Sequence, residues 1–327
     1  MPELTISVET YPIAGRFTIS RGSRTQAQVV VVTLKSEHHV GRGECVPYAR
    51  YGETIENVTA HIEAMRSALE QGMSRHALQK KMPAGAARNA LDCALWDLEA
   101  KQSGISALET AGCGTLKPVI TAYTLSLDTP EAMGQAAQKA AYRPILKIKL
   151  GSSTQDQERL FAVRDNAPHA TLIVDANEGW DEHTLITQLE ACEKAKVALI
   201  EQPVAVGQDH LLKNAPRTIP LCADESIHDR AQLEAIAPFY DVINIKLDKT
   251  GGLTEALLLA QEAQQRGLEI MIGCMVGTSL AMAPALLLAP FARFVDLDGP
   301  LLLAQDRENG LRYEDSLVYP PEACLWG

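Results

Sequence analysis

The sequence predicts an α/β protein, a modified (β/α)7β TIM barrel behind an N-terminal α+β capping domain. Three observations lead there: a strand-then-helix first third, a run of short apolar segments recurring every 22 to 26 residues, and a polar residue ending most of those segments.

The first third is read from its patterning. Residues 4–8 and 27–34 (Ala-Gln-Val-Val-Val-Val-Thr-Leu) are rich in β-formers, and Gly41-Arg-Gly-Glu44 reads as a turn. From Gly85 to Lys101, Leu91, Ala94, Leu95 and Leu98 recur at helical spacing. This gives a capping lobe over residues 1–117. His38 and His39 fall between β-patterned stretches, where a solvated hairpin end is expected.

From Pro118 onward the pattern becomes a βα repeat. Strands are predicted over 118–124, 144–149, 170–175, 197–201, 220–224, 241–246, 268–273 and 293–297. Eight parallel strands separated by helix-length segments argue for closure into a barrel over residues 118–300, compact beside the roughly 250 residues typical of the fold. The eighth unit leaves no room for a full helix, so the tail, residues 301–327, is expected to pack back onto and complete the first lobe. Gly251-Gly252 is read as a tight turn.

Composition limits the partners. A net charge of −11 works against broad contact with nucleic acid or anionic lipid, and no apolar run reaches the roughly 18 residues of a membrane span. The N-terminus is neither basic nor continuously apolar, and the seven cysteines are odd in number with no C-x-x-C pair. Free thiols, a cytoplasmic location and a small-molecule partner are the expectations; the oligomeric state is left open.

The strand ends carry the chemistry. Lys149, Asp175, Glu201, Asp224 and Lys246 lie 26, 26, 23 and 22 residues apart, one per βα unit, at equivalent places on consecutive strands. Such places converge at the C-terminal mouth of a barrel. Strand alternation puts Lys147 and Lys149 on one face, and likewise Leu199 and Glu201, and Asn244, Lys246 and Asp248. Three carboxylates in one pocket repel unless a cation lies among them, and oxygen ligands without His or Cys favour a hard ion such as Mg²⁺. Lys149 and Lys246 flank the trio, so one could take a proton from one face of a carbon while the other delivers one to the opposite face. Lys147 is read as a neighbouring charge that lowers the pKa of Lys149.

The set Lys147-Ile-Lys149, Asp175-Ala-Asn177, Glu201-Gln-Pro203, Asp224-Glu-Ser226 and Asn244-Ile-Lys246 resembles the enolase superfamily, in its muconate-lactonizing-enzyme-like subgroup. The resemblance implies one Mg²⁺ per subunit on Asp175, Glu201 and Asp224. It implies Lys149 and Lys246 as the acid/base pair, with Lys147, Asn177 and Asn244 in support. The reaction is then proton transfer beside a carboxylate through an ene-diolate, as is general for that superfamily.

Two features bear on substrate. Asp296-Leu-Asp298 places two carboxylates on one side of the eighth strand, which suits an ammonium; Arg24, in Arg21-Gly-Ser-Arg24, could pair with a carboxylate. With the stretch Arg88 to Asp97 these resemble the dipeptide epimerases, and among them the L-Ala-D/L-Glu epimerases. The implied reaction is 1,1-proton transfer at the glutamate α-carbon of a dipeptide released from cell-wall peptides. Epimerisation of a different dipeptide is one alternative; cycloisomerisation of a muconate, or dehydration as in o-succinylbenzoate synthesis, is the other rival within the superfamily, and neither of those substrates has an ammonium. A Schiff-base aldolase on Lys149 or Lys246 leaves three carboxylates without a role. A non-catalytic binding protein would show no turnover.

Overall fold

The structure, a computed structural model, describes residues 2–151 and 154–327. The chain opens with an antiparallel sheet of β1 (Glu3–Ile19), β2 (Gly22–Ser36) and β3 (His39–Cys45), in that spatial order. In β2, Val30, Val32 and Leu34 join a cluster with Leu91, Ala94, Leu95 and Leu98 of the helix Ala86–Ser103, whereas Val29 and Val31 join the barrel's outer core. The valine run has no polar face because both its faces are buried.

Gly41-Arg-Gly-Glu44, expected as a turn, lies inside β3. The reason is steric: a Cβ on Gly43 would sit 2.1 Å from the Ala90 carbonyl oxygen and one on Gly41 2.3 Å from that of Ala94. These glycines let the helix backbone lie directly on the strand.

The second sheet is parallel, with eight strands in sequential order: β5 (Tyr123–Leu125), β6 (Ile145–Lys149), β7 (Thr171–Asp175), β8 (Val197–Glu201), β9 (Leu221–Ala223), β10 (Val242–Ile245), β11 (Glu269–Ile272) and β12 (Phe294–Val295). Its edges meet. Ala122 N–H donates to the Val295 carbonyl at 2.8 Å, and Leu297 N–H to Thr121 Oγ1 at 2.8 Å. The strand expected over 118–124 is split, because β4 (Val119–Ile120) leaves the barrel to pair with the tail hairpin of β13 (Tyr313–Glu314) and β14 (Leu317–Val318).

The barrel is filled from below by an apolar plug of Ala122, Ile145, Ile173, Leu199, Cys222, Val242, Met271 and Phe294. Two residues beyond Ile145, Ile173, Leu199, Cys222, Val242 and Phe294, on the same strand face, stand Lys147, Asp175, Glu201, Asp224, Asn244 and Asp296. The period-2 pattern thus stacks a polar layer directly on an apolar one.

The helix Ala86–Ser103 bolts the two sheets together. Arg88 donates to the carbonyls of Thr250 (2.6 Å) and Gly251 (3.1 Å), Asn89 to Asp248 Oδ1 (2.9 Å), and Trp96 Nε1 to Thr254 Oγ1 (2.9 Å). Asp92 Oδ2 accepts the Thr254 N–H at 2.9 Å, satisfying an open donor at the start of the helix Leu253–Gln265. Gly251 and Gly252 have φ of +71° and +112° where these side chains press closest, so the turn there is also a docking point. The tail returns to the first lobe: Ala304 N–H donates to the Pro12 carbonyl, Arg42 to the carbonyls of Cys324 and Leu325, and Trp326 Nε1 to the Cys93 carbonyl. Among the described residues, no helix is long and apolar enough to cross a membrane, and all seven cysteines are free thiols.

Gly43→Ala should destabilise the fold by about 2 kcal/mol or more, because the added methyl meets helix backbone that has no room to yield. Equilibrium denaturation measures it; an unchanged midpoint would contradict the close approach.

Candidate functional site

Barrel stagger decides which strand ends meet. Lys149, Asp175 and Glu201 are in direct register across β6, β7 and β8. Glu201 then pairs with Cys222, and Cys222 with Val242, so Asp224 lies two residues and Lys246 four residues beyond that line. Spacing predicts the five at equivalent places, and the register shows that they are not strictly so. Strand tilt supplies the difference: hydrogen-bonded register climbs around a barrel, and side chains at one height come from progressively later positions. Asp248 does not continue the Asn244/Lys246 face, since the chain turns after Ile245 into the short helix Leu247–Thr250 and Asp248 accepts the Val46 N–H at 3.0 Å.

Each acid of the trio is turned onto lysine. Lys149 Nζ lies 2.5 Å from Asp175 Oδ2 and Lys246 Nζ 2.5 Å from Asp224 Oδ2. Lys147 Nζ sits among Asp175 (3.2 Å), Glu201 (2.7 Å) and Asp296 (2.7 Å). Burial drives its pKa down, but Asp296, Glu201 and Asp175 together hold it well above the usual lysine range. Lys147 is thus an internal counter-ion for three acids, and it shares Asp175 Oδ2 with Lys149. Burial raises the Asp175 and Asp224 carboxyls, but the lysines around each outweigh it and hold both below the usual range. Glu201 is pushed up to about 7 by burial and by Asp175, since Lys147 is shared three ways.

Among the described residues, the buried side-chain atoms without a hydrogen-bond partner are Gln79 Oε1, Asn177 Oδ1, Glu201 Oε2, Glu225 Oε2, Asn244 Oδ1 and Asp296 Oδ1. All but the first belong to this mouth, and all are oxygens. Glu201 Oε2 has the Lys147 ammonium at 2.7 Å without hydrogen-bond alignment. The mouth is short of donors or positive charge. No group of three acids, histidines or cysteines among the described residues is already gathered around one metal-sized point, and each carboxylate of the trio is turned onto a lysine.

Above the strand ends lies a cavity of about 450 Å³ bordered on the barrel side by Lys149, Asn177, Asp224, Glu225, Lys246 and Cys274. Its roof is the β1–β2 hairpin with Tyr48 to Tyr51. Arg21, at the hairpin tip, donates to Glu225 Oε1 (2.7 Å), the Asn177 carbonyl (3.0 Å), Glu178 Oε2 (3.2 Å) and the Tyr48 hydroxyl (3.2 Å). Arg50 grips Glu178 through two bonds of 2.9 and 2.8 Å. Arg24 borders the cavity with its guanidinium 5.5 Å from the Tyr48 ring centroid, and among the described residues it has no carboxylate partner.

The other predicted residues fall as follows. Asn244 Nδ2 donates to Glu201 Oε1 at 2.8 Å, and Gly273 makes room for it, since a Cβ there would lie 2.5 Å from Asn244 Oδ1. Asp296 Oδ2 takes Lys147, and Asp298 Oδ2 accepts the Thr124 N–H at 2.6 Å; neither borders the cavity. Burial and Asp296 push the Asp298 carboxyl up to about 7. Sequence reasoning missed Lys249, Arg21 and Glu225. Lys249 is wholly buried, with its ammonium on Asp224 Oδ1 (2.5 Å), the Asp224 carbonyl (2.5 Å) and the Asn244 carbonyl (3.0 Å). The adjacency of Glu225 to Asp224, and Lys246-Leu-Asp-Lys249 straddling a strand end, were the available signals.

With this geometry in hand, comparison with known proteins gives a consistent picture. Residues 131–324 match the family described as enolase C-terminal domain-like, and residues 1–112 the mandelate racemase / muconate lactonizing enzyme N-terminal domain. The chain is 46% identical over 315 residues to the L-Ala-D/L-Glu epimerase of Escherichia coli K12, covering 96% of this chain and 98% of the relative. It is 48% identical over 302 residues to an N-acetyl-D-glutamate racemase of Pseudoalteromonas sp., covering 91% and 95%. A solved structure of an enolase family member from Agrobacterium tumefaciens, with homology to dipeptide epimerases and with bound sodium and L-Ala-L-Glu, is 52% identical with a TM-score of 0.98 and full coverage of both chains.

Glu178 is one barrel-side anchor of the roof, receiving Arg21 from the hairpin tip and Arg50 beside it. With charge-assisted bonds worth roughly 1.5 kcal/mol or more each, Glu178→Ala should speed amide hydrogen exchange in residues 19–24 by about tenfold or more. Protection unchanged in that segment would show that the hairpin is held by other contacts.

Proposed function

We propose that the chain, which belongs to the mandelate racemase / muconate lactonizing enzyme family of the enolase superfamily, is a divalent-metal-dependent epimerase acting at the glutamate α-carbon of L-Ala-D/L-Glu. The observation that carries this reading is the placement of two lysines, Lys149 and Lys246, on one cavity with three buried carboxylates between them in strand order.

The residues present suit a hard cation. Asp175, Glu201 and Asp224 offer only oxygen, Glu201 keeps one oxygen out of hydrogen-bond alignment, and the unpartnered atoms at the mouth are all acceptors. We assign the cation to these three acids. When bound, it supplies positive charge to offset the negative charge that develops on the substrate's carboxylate as the neighbouring proton leaves.

The chain's own side chains do the remaining work. Lys149, released from Asp175, and Lys246, released from Asp224, are assigned to take a proton from the α-carbon on one face and return one on the other. Lys147 remains as counter-charge to Glu201 and Asp296, and Asn244 fixes Glu201 through Oε1. Arg24 is assigned to the glutamate side-chain carboxylate, since its guanidinium borders the cavity with no carboxylate of its own. The hairpin roof and Tyr51 cover the cavity in which the reacting carbon would lie.

A second reading concerns the acyl group. Asp296 and Asp298, assigned from sequence to an ammonium, are engaged by Lys147 and the Thr124 N–H and lie off the cavity wall. That arrangement supports N-acylglutamates without an ammonium, the chemistry named for the Pseudoalteromonas relative.

Activity should vanish in excess EDTA and return with Mg²⁺; full turnover in chelator would end the metal assignment. L-Ala-L-Glu should exceed N-acetyl-L-glutamate in kcat/KM by about tenfold or more, the equivalent of roughly 1.4 kcal/mol of transition-state discrimination, and Asp298→Asn should narrow that ratio. A reversed ratio selects the second reading. In D₂O, wild type should place deuterium at the glutamate α-carbon of both epimers. Lys149→Ala and Lys246→Ala should each abolish epimerisation, and any exchange they retain should be with opposite epimers. Near wild-type epimerisation in either variant would refute the two-base scheme.

A further inference from the structure

With Glu201 assigned to the cation, four unpartnered acceptors remain at the mouth, on Asn177, Glu225, Asn244 and Asp296, and only the first two border the cavity. Asn177 Oδ1 and Glu225 Oε2 are both buried, both without a hydrogen-bond partner, and both on residues that border the cavity. Each stands immediately beyond a proposed metal ligand, Asn177 two residues after Asp175 and Glu225 one after Asp224. A single guanidinium spans them: Arg21 donates to the Asn177 carbonyl at 3.0 Å and to Glu225 Oε1 at 2.7 Å.

Leaving a carboxylate oxygen and an amide oxygen bare in a buried site costs on the order of 1–3 kcal/mol each unless a donor arrives. Protein donors nearby are already committed. Lys246 and Lys249 are on Asp224, and Arg21 has taken the other oxygen of Glu225. Asn177 also sits at φ +45°, a left-handed conformation tolerated mainly by Asn, Asp and Gly, with its N–H on Asp175 Oδ1 at 3.0 Å. Its amide is therefore held close to the carboxylate that we assign to the cation.

We propose that Asn177 Oδ1 and Glu225 Oε2 form an outer acceptor pair that holds the hydration shell of the divalent cation, and that Arg21 is the positioning residue that sets this pair. Mg²⁺ sheds water reluctantly and usually keeps several waters when bound by a few carboxylates. Each such water has hydrogens to donate, which is the commodity this part of the mouth lacks. Outer partners of this kind orient the ligands and contribute to metal affinity. The inference rests on the assignment of the cation to Asp175, Glu201 and Asp224. It adds that affinity for the bare ion, before any substrate arrives, depends on two residues outside that trio and on one from the capping lobe.

The test is titration of substrate-free protein with Mn²⁺, following free ion by electron paramagnetic resonance, beside circular dichroism to verify folding. Wild type must bind first; no binding there would refute the cation assignment itself, a separate failure. Asn177→Gly removes the acceptor without changing charge and suits the left-handed backbone, so it should weaken Mn²⁺ binding about tenfold to a hundredfold. Asn177→Asp keeps an acceptor and should retain affinity. Glu225→Gln should weaken binding as well, and Arg21→Ala by a smaller factor. If Asn177→Gly binds Mn²⁺ as wild type does while KM for the dipeptide rises, the acceptors serve substrate N–H groups and the proposal is overturned. A loss confined to Glu225→Gln would be a plain effect of charge and would overturn it equally.

Discussion

The constraint on which this structure depends is the burial of several carboxylates at one barrel mouth. Asp175, Glu201 and Asp224 are almost wholly removed from water, with Asp296 close behind. Ionised carboxylates cannot be desolvated side by side without compensating charge. Lys147, Lys149, Lys246 and Lys249 provide it, and the division is unequal. Asp224 has two lysines and Asp175 has one close partner besides its share of Lys147, so both are held low. Glu201 has only its share of Lys147 and a distant Lys246 at 4.0 Å, so it is held high. Its position as the middle strand of the trio makes it the acid most in need of a further cation.

Holding such a cluster requires a rigid frame, and the frame follows from period-2 patterning. The apolar plug fixes the height of the polar layer above it, and the climb of register around the barrel brings Lys246 over Asp224 and Asp296 back to Lys147. A one-residue slip in any strand would exchange a plug residue or a charged one for a residue now facing the outer helices. The roof is tied to this layer by arginine pairs, so the hairpin's position and that of the strand-end loops after β7 and β9 are set together.

Much of this was legible in the sequence. Successive strands each ended by Lys, Asp, Glu, Asp or Lys specify both the fold and the identity of the mouth, because only a closed parallel barrel brings such residues together. The split first strand was not legible: Val119 and Ile120 have the composition of a barrel strand, and their pairing with Leu317 and Val318 is decided by a tail two hundred residues away. Gly41 and Gly43 looked like a turn because glycine's local meaning and its packing meaning are indistinguishable until the helix across from it is known. Lys249 escaped because a lysine three residues past a strand end is ordinarily solvated, and only the short helix Leu247–Thr250 folds it back beneath Asp224.

The stretch Arg88 to Asp97 is instructive about what a family signature records. It carries part of the resemblance read from the sequence, yet none of its residues borders the cavity. Arg88, Asn89, Asp92 and Trp96 instead spend their polar atoms on the segment from Asp248 to Thr254, and Asp97 receives the Arg42 and Gly327 N–H groups. That segment begins two residues after Lys246. The helix therefore fixes the exit of the strand that bears one lysine, while its packing on β3 fixes the sheet that carries Arg21. On the two-base reading proposed above, a proton transfer between two faces of one carbon would tolerate little displacement of either lysine. Residues far from the chemistry are then as constrained as those within it, because they set the distance between the capping lobe and the barrel mouth.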